Sequence, residues 1–148
     1  MTIVLGIHNL VRWVVLITAV FALYRMVRGL MTKSAWEKPD RLAGMLFTSA
    51  LDLQLLLGLM LYFIFSPVVK SFITNFSTAI QNPALRYWGF DHVGLMIAAV
   101  ALGHIGSAAA KKDLPDSDKF KRSLLFFTLA LICLLVGIPW SRPLLPAF

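Results

Sequence analysis

Four apolar runs divide the chain, at about residues 3–24, 42–65, 87–110 and 123–140, and short stretches rich in lysine and arginine join the first to the second and the third to the fourth. Each run is close to the ~20 residues an α-helix needs to cross a ~30 Å hydrocarbon layer. None alternates apolar and polar residues with the period of two that a barrel strand requires. Helices are then the structure that satisfies every backbone group in lipid. The pattern predicts an all-α membrane protein: a four-transmembrane-helix up-and-down bundle, one integral membrane domain over residues 1–148. Between the second and third runs, Val69, Phe72, Ile73, Phe76 and Ile80 recur at helical spacing, with Lys70, Ser71, Asn75 and Ser77 between them. This predicts a short amphipathic helix lying in the interface, separated from the third run by Pro83.

Composition points the same way. Of 148 residues, 59% are hydrophobic and 14% charged, with a mean hydropathy of +0.79. Soluble domains carry about 25% charged residues, and one this small has too much surface to bury so much apolar side chain. The net charge of +7 does not point to nucleic acid, because the basic residues form no stripe interleaved with aromatics. One connection and its flanks carry Arg25, Arg28, Lys33, Lys38 and Arg41; the other carries Lys111, Lys112, Lys119, Lys121 and Arg122. The opposite flanks have only Lys70, Arg86 and Arg142. The positive-inside rule places the two basic connections in the cytoplasm and both termini outside, with Tyr87, Trp88 and Trp140 at the outer boundary. No basic stretch precedes the first run, and His8 and Arg12 interrupt it, so it reads as an uncleaved helix. The single cysteine, Cys133, excludes a disulfide within the chain and reads as a small buried hydrophobe.

In the third run Ala99, Gly103, Gly106 and Ala110 make a stripe of small residues, a packing seam by which helices approach closely in lipid. Ionisable and strongly polar groups inside a membrane are costly and need a reason. The candidates are His8, Arg12, Asp52, Gln54, Asp91, His92 and His104. His8 and Arg12 share a face of the first helix. Asp52 lies near the middle of the second, and Arg12 is the basic residue at comparable depth, so an Arg12–Asp52 contact is expected, direct or through water. Gln54 points elsewhere and reads as glue between helices. His8 and His92 fall at similar depth. They could ligate one haem b axially, or, with Asp91, accept a phenolic proton from a quinol such as menaquinol. Asp91 could equally serve the start of the third helix. His104 lies about 18 Å from His92 along the helix, and three histidines are too few for a two-haem cytochrome. Trp13, Phe47, Phe63, Phe126 and Phe127 are expected to face outward. The runs are too continuously apolar for a channel or transporter.

These residues carry a resemblance. His8-Asn-Leu-Val-Arg12-Trp13 opens the first helix. Asp52-Leu-Gln54-Leu-Leu-Leu-Gly58 leads into Leu61-Tyr62-Phe63. Asp91-His92 opens the third helix, which later holds His104-Ile-Gly106, and Ile138-Pro139-Trp140 followed by Arg142-Pro143 closes the chain. The whole chain resembles the small four-helix bacterial membrane proteins labelled cytochrome B-like. It is also similar to the small accessory membrane subunits of alternative complex III, a quinol-oxidising electron-transfer complex. The resemblance implies a structural subunit of a respiratory or photosynthetic complex in the bacterial inner membrane. Its partners would be lipids and other integral membrane subunits, and it would have no redox centre and no catalytic activity of its own.

Overall fold

A computed structural model describes residues 2–141; Arg142 and Pro143, invoked above, lie outside them. The described chain is mostly helical and, among those residues, has no strand. Four helical segments are long and apolar enough to cross a membrane: Ile3–Thr32, Lys38–Phe65, Pro83–Lys111 and Asp116–Gly137.

The elements are α1 (Thr2–Thr32), α2 (Lys38–Met60) continued by a π turn (Leu61–Phe65), and three short helices, α3 (Pro67–Thr74), α4 (Phe76–Ala79) and α5 (Pro83–Arg86). A second π turn (Tyr87–Asp91) then leads into α6 (His92–Ala108) and its 3-10 end (Ala109–Lys111), and α7 (Asp116–Gly137) follows. α1 packs against α2 and α7, and α6 against the same two, so the four long helices close a ring.

Several boundaries differ from the expectation, those of α1 and α7 most. α1 runs eight residues past Tyr24, because a helix satisfies its backbone in water as well as in lipid and the apolar edge need not end it. Lys33, at φ 50°, takes the left-handed position that does end it. Its amide reaches the Leu30 carbonyl and the Ser34 amide reaches that of Gly29, closing the free carbonyls of the last turn. Arg25 is therefore a helical residue. Its guanidinium holds the buried Asp40 carboxylate at 2.7 Å, while the other Asp40 oxygen accepts the Glu37 amide at 2.9 Å and caps α2. At the far end α7 starts at Asp116, with Asp116 and Asp118 in its first turn where the helix dipole favours them. It stops at Gly137, because Pro139 pushes Ile138 into extended backbone.

The segment expected as one amphipathic helix is broken at Asn75 into α3 and α4. Val69, Phe72 and Ala79 turn inward, while Ile73 and Phe76 are exposed.

The inward residues recur along each long helix with alternating steps of three and four: Val15, Ala19, Ala22, Met26 on α1, Phe47 and Leu51 on α2, Ala99, Gly103, Gly106 on α6, and Phe120, Ser123, Phe127, Ala130, Leu134 on α7. That is the spacing of a helix seam. Phe47 and Phe127, expected to face outward, are buried in it. Their rings meet edge to face at 5.5 Å, and Gly44 and Gly106 leave the room that Phe127 occupies. Phe63 does face outward, and Trp13 and Phe126 are half-buried. The small-residue stripe of α6 ends on Ala109 in place of Ala110, since tightening to a 3-10 turn rotates the last residues.

Candidate functional site

Continued toward the end of the bundle that carries α3 to α5, the same seam turns polar. Stepping back from Val15 on α1 by three and four gives Arg12 and His8. On α2, Leu51 is followed by Gln54 and Gly58, and on α6, Ala99 is preceded by Met96 and His92. These positions meet around a cavity of about 490 Å³, a size suited to an organic ligand or cofactor. Its walls are largely apolar, with Leu16, Leu55, Leu59, Met96, Leu134 and Ile138 among them.

Both π turns border it. The first contributes Leu61, Tyr62 and Phe65, the second Trp88. A π turn rotates the residues beyond it relative to a regular helix, and such turns concentrate at functional sites. The two turns are tied to each other, because the Tyr62 hydroxyl donates to the Gly89 carbonyl at 2.7 Å. Gly89 is required there: a Cβ would overlap the Phe72 ring. At the helix end beyond Leu134, the carbonyl of Gly137 accepts from the Tyr87 hydroxyl at 2.8 Å and pairs with His92 Nδ1 at 2.7 Å. A carbonyl can only accept, so Nδ1 carries the proton and Nε2 is the acceptor nitrogen of the ring.

Gln54 Nε2 lies 3.2 Å from His8 Nε2. The amide donates to the ring nitrogen, and His8 Nδ1 and Gln54 Oε1 are buried with no partner among the described residues. Buried groups of this kind are normally satisfied, so they mark a place where a polar atom of something else belongs. His8 lies one helical turn from Arg12 and lines the same cavity as His92. Arg12 lines the cavity with its guanidinium 5.8 Å from the Trp13 ring centre.

The expected Arg12–Asp52 contact is absent among the described residues. Asp52 is one step past Leu51 and off the seam, so it points outward and pairs with His104 Nε2 at 2.8 Å. The structure thereby also supplies a partner for His104. Asp91 does not line the cavity. Its carboxylate accepts from Arg86 Nε at 3.1 Å, and the helix runs unbroken through it from Pro83, so Asp91 is not the start of a helix. Asn82 takes that role, its side chain accepting the amides of Ala84 and Leu85. Sequence reasoning missed Tyr62 and Trp88 as cavity residues and placed Gln54 with helix packing alone. The three-and-four spacing of Phe47, Leu51, Gln54 and Gly58 was the available signal for Gln54; nothing local announced the π turns that bring in the aromatics.

No family model, curated protein or solved structure matches this chain.

Proposed function

We propose that the chain is an integral membrane subunit of a quinol-oxidising electron-transfer assembly in the bacterial inner membrane, an up-and-down bundle with its termini outside, and that its own contribution is a quinone pocket. The observation that carries this is the 490 Å³ cavity with polar groups at one level and apolar walls around them. A quinone ring has two oxygens on opposite edges and an apolar tail. His92 Nε2 accepts a phenolic proton at one edge, and Gly137 stabilises the charge that arrives by holding Nδ1–H. The His8–Gln54 pair, with its two unpartnered buried groups, and the Arg12 guanidinium provide hydrogen bonds for the other edge. Leucine and methionine side chains receive the tail. Membrane subunits of the same assembly and lipids cover the remaining outer surface.

A photoreactive quinone applied to membranes containing the protein tests this. It should label the segments bearing His92 and Gln54, and His92→Ala should reduce labelling about tenfold, the value of one lost hydrogen bond in a dry site. Equal labelling of the variant, or labelling indistinguishable from that by a hydrocarbon probe, overturns the reading.

One observation favours haem b as a second reading: a backbone carbonyl fixing Nδ1–H is the arrangement that orients an axial histidine. His92 fits that role. His8 fits it less well, since its Nε2 faces the Gln54 amide. A bound haem would supply one-electron transfer. A reduced-minus-oxidised spectrum with an α band lost in both His8→Ala and His92→Ala protein would decide for it.

A further inference from the structure

We infer that two copies of this chain pair through the outward face shared by α2 and α6, Asp52 of each copy bonded to His104 of the other. The starting observation is where the Asp52–His104 pair sits. Asp52 lies near the centre of the Lys38–Phe65 span, and Leu51 and Gly103, the residues just before the two, face each other across the seam. The pair is thus deep in the span. Yet it is turned away from the bundle: the His104 side chain is 53% exposed and that of Asp52 46%. Lipid has no hydrogen bonds to offer such groups, and ionisable residues at this depth normally face protein or water.

The pair is also half satisfied. Nε2 of His104 and Oδ1 of Asp52 take each other. Among the described residues no hydrogen bond reaches His104 Nδ1 or Asp52 Oδ2. With the ring donating from both nitrogens, what is missing is one acceptor at His104 Nδ1 and one donor at Asp52 Oδ2. A second copy carries both. Under a two-fold axis along the membrane normal, residues at one depth meet residues at the same depth. His104 Nδ1–H of each copy then donates to Asp52 Oδ2 of the other, and the four side chains close a ring in which every donor and acceptor is used. Each donor in the ring meets an oxygen of the partner pair, which offsets part of the cost of holding ionisable groups in lipid. The neighbouring outward residues let the backbones approach: Ser49 lies three before Asp52, and Ala101 and Ala108 lie three before and four after His104, all exposed. This pairing is independent of the cavity, which opens on other residues.

The test is cysteine cross-linking of the full chain in native membranes. In a Cys133→Ala background, Ala101→Cys should form a disulfide-linked species of twice the chain's mass on oxidation. Val20→Cys on α1 and Leu125→Cys on α7, both exposed but on other faces, should not. Asp52→Asn or His104→Gln added to Ala101→Cys should abolish most of the product. The exchange Asp52→His with His104→Asp should restore it, because it reverses every donor and acceptor together. Ala101→Cys leaves the pair intact, so misfolding cannot mask its result. Yields no higher than at the control positions, or cross-linking only to a chain of different mass, would overturn the inference.

Discussion

The two ends of the four-helix ring are built on one seam and differ in what fills it. At the end with the two short connections, the seam positions are glycine, alanine, serine and phenylalanine packed without a gap. Phe120 lies over Gly29 so closely that a Cβ there would overlap its ring, and Trp36 covers it from outside at 4.7 Å. Ser123 Oγ donates to the Gly106 carbonyl at 3.0 Å, and Arg25 and Asp40 clamp the rim. At the other end the same register brings His8, Arg12, Gln54, Gly58 and His92 together, and the helices leave a partly open cavity between them. Two features hold them apart there: the π turns, and the short helices α3 to α5, whose Phe72 packs against Gly89. One end is packed closed, and the other leaves a cavity lined by polar groups.

That division can be broken in a graded way. The largest effect is expected from Phe127→Ala, which empties the centre of the closed end and should cost about 3–5 kcal/mol in unfolding of the detergent-solubilised protein. Removing one partner of the nearly buried clamp, by Asp40→Asn or Arg25→Met, should cost about 3 kcal/mol, since the remaining group is stranded; the midpoint of thermal unfolding reports it. Gly103→Ala places a Cβ 2.8 Å from Leu51 Cδ1. It should cost about 1–2 kcal/mol, the penalty of mild overpacking. His92→Ala at the cavity end should lose under about 1.5 kcal/mol, one hydrogen bond to Gly137, while ligand capture falls steeply. Stability losses at His92 as large as at Phe127 would show that the cavity end is part of the core. The smallest effect belongs to Gly94→Ala on the open face of α6, where a Cβ meets nothing within 4 Å. It should raise stability by up to about 1 kcal/mol through helix propensity.

The contrast also bears on the intramembrane polar groups, which divide by register. Those on the seam face the cavity, and those one residue off it face outward. Arg12 and His8 extend the 3-4 spacing of Val15, Ala19 and Ala22, whereas Asp52 and His104 each follow a seam residue, Leu51 and Gly103. Depth alone would pair Arg12 with Asp52. Register separates them and gives Asp52 to His104. Mean depth is a property of position along one helix, while register is a property of how helices face each other, and the second decides contact.

Much was legible in the amino-acid order. Four apolar runs determine four spans, because lipid leaves backbone groups no other partner. The common level of His8 and His92 follows from where the runs begin and how they alternate. Three things waited for the tertiary structure. The first is how far α1 extends beyond the apolar edge, which is set where Lys33 takes the left-handed position and the last turn closes. The second is which phenylalanines are inside, because leucine and phenylalanine are equally welcome in lipid and in a bundle, so hydrophobicity does not separate the two faces. The third is the cavity itself. A void is set by what neighbouring helices fail to fill, and here two π turns, with no local signal in composition, open it.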